Sequence, residues 1–210
     1  MHRTRVKICG LTRAEDALAC VRAGADAIGL VFVPKSPRCV SIEQAAAVLA
    51  VLPPFVASVA LFQNAGADYV RAVLAHLSPT LLQFHGDEPR EYCAGFGRGY
   101  LRAVPMGAGA EVDDYARRFP DAAGLLLDSH GGERSGGSGE SFDWSRVPAR
   151  RTLPIVLAGG LEPDNVAHAI YRVRPWAVDV SSGVEAAKGI KDARKIGAFM
   201  QAVRNGDDRG

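Results

Sequence analysis

The sequence predicts a single-domain α/β protein, a (β/α)8 TIM barrel. Three observations carry that prediction. Eight short apolar runs recur at intervals of roughly 20 to 30 residues. Amphipathic stretches lie between them, as strand-helix alternation requires. The runs are nearly continuous in Val, Ile, Leu and Phe rather than alternating, which marks strands buried on both faces of a parallel sheet. An open doubly wound sheet is the alternative, but it usually carries fewer strands and a glycine-rich first turn. Here the first turn is Cys9-Gly10-Leu11-Thr12, which is not GxGxxG.

The strand candidates are Val6 to Cys9, Ala27 to Phe32, Val56 to Phe62, Leu81 to Phe84, Tyr100 to Val104, Leu125 to Leu127, Ile155 to Ala158 and Ala177 to Val180. The first helix reads from a capping box, Thr12 with Glu15 three residues on, and stops at Gly24. Ser41-Ile42-Glu43-Gln44 opens the second in the same way, running to Leu52 before Pro53-Pro54. Ala67 to Leu77, Pro89 to Phe96, Glu111 to Phe119, Pro163 to Tyr171 and Lys191 to Val203 fill other gaps. Residues 1–205 are thus assigned to the barrel and 206–210 to a frayed tail. The Gly/Ser-rich segment Ser129 to Asp143 is long for so economical a barrel, which reads as a lid or a disordered segment.

With 25 basic and 23 acidic residues in 210, the formal charge is +2 and no basic stripe stands out, so a nucleic-acid partner is not expected. No apolar run nears the roughly 20 residues a membrane span needs, and the amino terminus lacks a signal-peptide pattern. The four cysteines show no CxxC spacing, so neither zinc nor a redox pair is suggested and reduced thiols in a cytoplasm are expected.

Reacting groups of such barrels project from the carboxyl ends of the strands. Gly159-Gly160 and Ser181-Ser182-Gly183 occupy the last two of these ends, where close backbone approach and exposed amides suit a phosphate. Glycines that merely turn tight corners are the plainer reading. Cys9 and Asp128 end strands one and six and could serve as a base and an acid. The bland alternative makes Cys9 a small buried hydrophobe and Asp128 a cap, and spacing alone favours that reading of Cys9. Arg38 could grip a carboxylate or phosphate, or sit solvated on the surface. His85 ends the fourth strand and could orient a substrate.

Taken in order, Lys7-Ile8-Cys9-Gly10-Leu11, Ser36-Pro37-Arg38, Leu82 to Glu88, Leu126 to Ser129, Leu157 to Leu161, Asp179 to Glu185 and Gly189 to Asp192 form a set of motifs across the whole chain. This set resembles the phosphoribosylanthranilate isomerase family of tryptophan biosynthesis. The resemblance implies an Amadori rearrangement of N-(5-phosphoribosyl)anthranilate to 1-(2-carboxyphenylamino)-1-deoxyribulose 5-phosphate, with no cofactor and no metal. It implies Asp128 as general acid on the ribose ring oxygen and Cys9 as general base on the neighbouring carbon. Arg38 would hold the anthranilate carboxylate and the last two loops the phosphate. The expected partner is that small phosphoribosyl substrate alone, for a monomer or homodimer away from any membrane.

The family pattern is left at Phe84 (often leucine), Cys39 (often aromatic), Ser138 (commonly threonine) and Lys188 (often proline). These imply altered packing at Phe84, altered contacts near the substrate ring at Cys39 and a looser turn at Lys188. Asp179 is expected to bond loop amides, Trp144 and Trp176 to anchor packing, and Cys20 and Cys93 to fill the core. Two other readings stand beside the isomerase: a related aminosugar isomerase of histidine biosynthesis, which needs a second phosphate site, and a non-catalytic metabolite-binding barrel.

Overall fold

The computed structural model describes residues 3–129 and 141–208. Eight parallel strands close into a barrel in sequence order: β1 (Arg5–Cys9), β2 (Ala27–Val31), β3 (Ala57–Phe62), β4 (Leu81–Phe84), β5 (Tyr100–Pro105), β6 (Gly124–Asp128), β7 (Ile155–Leu157) and β8 (Ala177–Val180). Helices α1 (Ala14–Ala23), α2 (Ile42–Leu49), α3 (Ala67–Leu77), α4 (Arg90–Ala94), α5 (Val112–Arg118), α6 (Val166–Val173) and α7 (Ala193–Asp207) surround it. Between β6 and β7 the described residues hold only a 3₁₀ turn, Trp144–Arg146. Most of the segment read as a lid, residues 130–140, lies outside the described residues, and Ser138 with it.

Alternation along each strand makes two cores. Ile8, Ile28, Leu30, Phe62, Leu82, Leu127 and Val178 point outward and are buried with the helices. Leu101, Ala103, Leu126, Val156, Ala158 and Ala177 fill one side of the barrel interior, and Cys9, Val31 and Leu61 form a smaller patch in it. Phe84 is fully buried in the outer layer, with ring centroids 5.8 Å from Tyr92, 6.0 Å from Phe96 and 6.0 Å from Tyr100. An aromatic residue there builds a ring cluster that leucine could not, a packing change as expected.

Local signals and long-range contacts divide the helix starts between them. Ser41 caps α2 as a full capping box with Gln44. Thr12 does not cap α1. Arg13 holds the N-cap position, and the Thr12 hydroxyl donates to the Gly189 carbonyl at 2.6 Å. That bond ties the Gly189 carbonyl to the loop after β1. Lys191 is not helical: it belongs to a hairpin of β9 (Glu185–Ala187) and β10 (Ile190–Lys191), and α7 starts after Asp192, which accepts from the amides of Arg194 and Lys195. The frayed tail is also corrected. The last helix continues to Asp207, whose carboxylate accepts from the Thr4 amide at 3.0 Å and the Thr4 hydroxyl at 2.6 Å. Trp176 is about half exposed beneath the Arg5 guanidinium at 3.6 Å, so it caps a surface rather than anchoring a core. Trp144 packs against the core, and Cys20 and Cys93 are buried in it.

One buried charge shapes the loops on the carboxyl side of the barrel. Arg102 on β5 points outward into the helix layer and donates to the Phe84 carbonyl at 3.1 Å, the Gly86 carbonyl at 2.5 Å and Glu88 at 2.9 Å. Glu88 in turn accepts from the Asn64 and Gly86 amides. The loops after β3 and β4 are thereby tied to the next strand, β5. Replacing Arg102 with Met strands the Glu88 carboxylate in an apolar layer, a loss of about 3–5 kcal/mol. Urea unfolding of Arg102→Met measures it; a loss below about 1 kcal/mol would mean that the loops stand without this pair.

Candidate active site

A cavity of about 490 Å³ opens at the carboxyl ends of the strands. Its wall takes side chains from nearly every strand end, because barrel closure makes those ends converge. Cys9 comes from β1, Arg38 from the loop after β2, His85 from beyond β4, Asp128 from β6, Gly159 and Gly160 from beyond β7, and Ser181 and Ser182 from beyond β8. The structure therefore brings together all the sequence-derived candidates except Gly183. That glycine stands beside the wall, where any Cβ would collide with the Leu161 carbonyl. It lets the loops after β7 and β8 touch.

The glycines are positional requirements. Gly159 and Gly160 hold φ of +79° and +66°, and a Cβ on Gly159 would strike the Ser129 amide. This close approach packs the end of β7 against the residue that follows Asp128. Gly29, opposite Cys9 on β2, leaves room for the thiol, since a Cβ there would lie 2.6 Å from Sγ. Ser182 begins a 3₁₀ turn, Ser182–Val184, whose leading amides have no carbonyl partner within the turn. The Ser181 hydroxyl donates to the Cys9 carbonyl at 3.0 Å, locking the two strand ends together.

The floor of the cavity is charged. Lys7, two residues before Cys9 and on the same face of β1, donates to Asp179 at 2.9 Å, both side chains being under a tenth exposed. Asp179 thus pairs with a lysine rather than with loop amides. Burial pushes the Cys9 thiol up from its ordinary value of 9.0, and the Lys7 ammonium pulls it back. Burial also works against the Lys7 charge, yet Asp179 and Cys9 outweigh it and hold that lysine above its ordinary value. Gln83 is fully buried at the cavity wall, with Nε2 2.8 Å from Nε2 of His85 and its Oε1 unpartnered.

Arg38 is neither solvated nor open on all sides. Its Nε and Nη2 fork onto Glu185 at 2.7 and 2.9 Å, while Nη1 takes no part in that fork. Glu185 also accepts from Lys191 at 2.9 Å, and Lys191 donates to the Ser181 carbonyl at 3.0 Å. Cys39 does not itself line the cavity, although its neighbour Arg38 does. The sequence reading passed over Lys7, Lys35, Gln83, Glu185 and Lys191. The available signal was Lys7 itself, a charge inside an otherwise apolar strand two residues from Cys9.

Among the described residues no cluster of three or more His, Cys, Asp or Glu side chains could hold a metal ion, and no helix is long and apolar enough to cross a membrane. A thiol and a carboxyl on opposite sides of one polar cavity, with glycine and serine loops beside them, define an enzyme of the (β/α)8-barrel class built for proton transfer. A family model described as N-(5'-phosphoribosyl)anthranilate (PRA) isomerase matches residues 6–202. The chain belongs to that family and catalyses its isomerisation in tryptophan biosynthesis. It is 56% identical to the isomerase of that name from Pseudomonas fluorescens (strain Pf-5), over 99% of both chains. It is 50% identical to that of Nitrosococcus oceani, over 96% of this chain and 98% of the relative. Among solved structures, phosphoribosyl anthranilate isomerase from Thermotoga maritima superposes with a TM-score of 0.86 at 42% identity, covering 96% of this chain and 98% of its own. Another, solved in complex with reduced 1-(o-carboxyphenylamino)-1-deoxyribulose 5-phosphate, superposes with a TM-score of 0.83 at 40% identity, with the same coverage.

Glu185 offers a test of how the rim is held. Burial pushes its carboxyl up, but Arg38 and Lys191 outweigh burial and hold it below the ordinary value of 4.5. A depressed carboxyl contributes stability that is fully present above the unfolded value and lost as pH falls through the folded one. Glu185→Gln should therefore cost about 3 kcal/mol at pH 7, and the gap to the parent should close as pH drops below 4.5. Denaturant titrations at both pH values check this; a gap independent of pH would sink the ion-pair account.

Proposed function

We propose that Asp128 and Cys9 carry out this isomerisation as general acid and general base, with Arg38 and the last two loops holding the substrate. The supporting observation is their convergence: the Cys9 thiol and the Asp128 carboxyl, from β1 and β6, line one cavity together with Lys35, Arg38, the Gly159-Gly160 and Ser181-Ser182 loops and apolar side chains such as Val31 and Leu61. Asp128 gives a proton to the ribose ring oxygen as the bond to the anomeric carbon breaks, and the anthranilate nitrogen lone pair forms the iminium. Cys9, as thiolate, then takes the proton from the neighbouring sugar carbon, and those electrons close the enolamine. Tautomerisation to the ketone completes a redox-neutral sequence.

The anions at the substrate's two ends have separate partners in this reading. Nη1 of Arg38 meets the anthranilate carboxylate without breaking the fork to Glu185. The backbone of Gly159, Gly160 and Ser182, with Gly183 behind them, receives the ribose phosphate, and the Ser181 hydroxyl keeps its strand end in place. His85 presents its ring to the sugar from β4. The enzyme works in the cytoplasm as a monomer or homodimer and takes no cofactor.

Cys9→Ala and Asp128→Asn should each lower turnover of freshly generated substrate by at least about 1000-fold, followed as loss of anthranilate fluorescence. Each should bind a product analogue nearly as the parent does; equal loss of binding and stability would make the two residues structural. Gly29→Ala pushes a methyl group into the Cys9 thiol. It should lower kcat by about 100-fold through misplacement alone, and steady-state kinetics showing parental kcat in this variant would contradict the role of Cys9.

A further inference from the structure

We propose that Lys7 is a positioning residue for the reaction, its ammonium fixed by Asp179 on the same interior strand face as Cys9, so that the thiol gives up its proton more readily than burial alone would allow. This rests on the reading of Cys9 as the base. The geometry begins with strand alternation. Lys7 and Cys9 share the interior face of β1, and Lys7 is the register partner of Asp179 on β8. An isolated ammonium so deep in the barrel would lose its proton, and the Asp179 carboxylate prevents that from across the seam.

The pair is poorly explained as a stabilising device. Buried ion pairs are often matched or bettered by apolar residues of similar volume. This one also leaves Asp179 Oδ1 buried without a partner. An ammonium has three donors, and Asp179 takes one. The next group along that face is the Cys9 thiol, which Lys7 affects both as a charge and as a hydrogen-bonding neighbour. The other charged and titratable groups around Cys9 are otherwise engaged or more remote in effect. Arg38 and Lys191 are committed to Glu185, and Lys191 favours the thiolate less than Lys7 does; Lys35, His85 and Asp128 line other parts of the wall, and Asp179 opposes a thiolate. Lys7 supplies the main compensation for the burial of the sulfur.

The test reads the thiolate directly. The rate at which iodoacetamide alkylates Cys9 is followed against pH by mass spectrometry of the peptide containing it, in the full chain. Lys7→Gln should move the midpoint up by about one pH unit or more and lower kcat more than tenfold with KM changed less than about twofold. Lys7→Gln combined with Asp179→Asn leaves no lone buried charge and should also move the midpoint up. Asp179→Asn alone lets the buried Lys7 ammonium lose its proton and should move the midpoint up as well. An unmoved midpoint in either Lys7 variant, or a downward shift in Asp179→Asn, overturns the proposal. Turnover retained in Cys9→Ala would overturn the role of Cys9 whatever the alkylation profile, so the two failures are distinguishable.

Discussion

The pairing of β1 with β8 is the constraint on which the rest of the molecule depends. Seven of the eight strand pairings join consecutive strands, but this one joins residues such as Ile8 and Val180 from opposite ends of the chain. Closing so long a loop carries an entropic cost that the seam must outweigh. It does so with more than its ladder. Thr4 binds Asp207, Lys7 binds Asp179, Ser181 binds the Cys9 carbonyl and Thr12 binds the Gly189 carbonyl. These bonds run from the amino-terminal face of the barrel to its mouth. The seam therefore both closes the barrel and fixes the end of β1, with Cys9, against the loop after β8.

The charges inside the barrel follow from the same closure. An apolar interior could fill the space, and the opposite side of this barrel does so with Leu101, Leu126 and Val156. On the β1–β8 side the interior holds Lys7 and Asp179 instead, directly beneath the cavity. A thiol buried in an apolar patch would stay protonated. The interior is thus asymmetric, apolar on one side and ionic on the other, and the ionic side is the one on which the proposed base, Cys9, stands.

Legibility in the sequence divides along contact range. Strands were readable because burial on both faces leaves continuous apolar runs, and α3 because its apolar spacing and flanking residues agree; its observed span, Ala67–Leu77, matches the expected one. Ser41 announced its cap because the whole capping box lies within four residues. Thr12 carried the same local pattern, yet its hydroxyl is taken by a carbonyl 177 positions away. The carboxyl-terminal residues looked frayed for want of apolar content, and a bond to Thr4, 203 positions away, orders Asp207. The site shows the same division. Cys9, Asp128 and the glycine loops follow from strand ends alone, whereas Glu185 and Lys191 acquire meaning only when the hairpin after β8 folds back onto Arg38. Lys7 was visible as an anomaly, but its partner was not.

The charge around the cavity narrows what it can accept. Among the described residues four cations, Lys7, Lys35, Arg38 and Lys191, lie in or around the cavity with three acidic side chains, Asp128, Asp179 and Glu185. Their charge is unevenly spread. Asp179 neutralises Lys7 at the floor, and Glu185 is shared between Arg38 and Lys191 at the rim, so the unpaired positive potential lies at the rim. On the proposed roles of Asp128, Cys9 and Arg38, a substrate with an anion at each end and an uncharged sugar between them matches this field: its ends would meet the cationic rim and the amide-rich loops while its reacting carbons would lie between thiol and carboxyl. A bisphosphate would bring a second dianion to the Arg38 side. There, among the described residues, Arg38 already shares its charge with a buried glutamate, and Lys35 is the other cation lining the cavity. On that reading the singly charged carboxylate suits this end of the cavity better than a phosphate dianion.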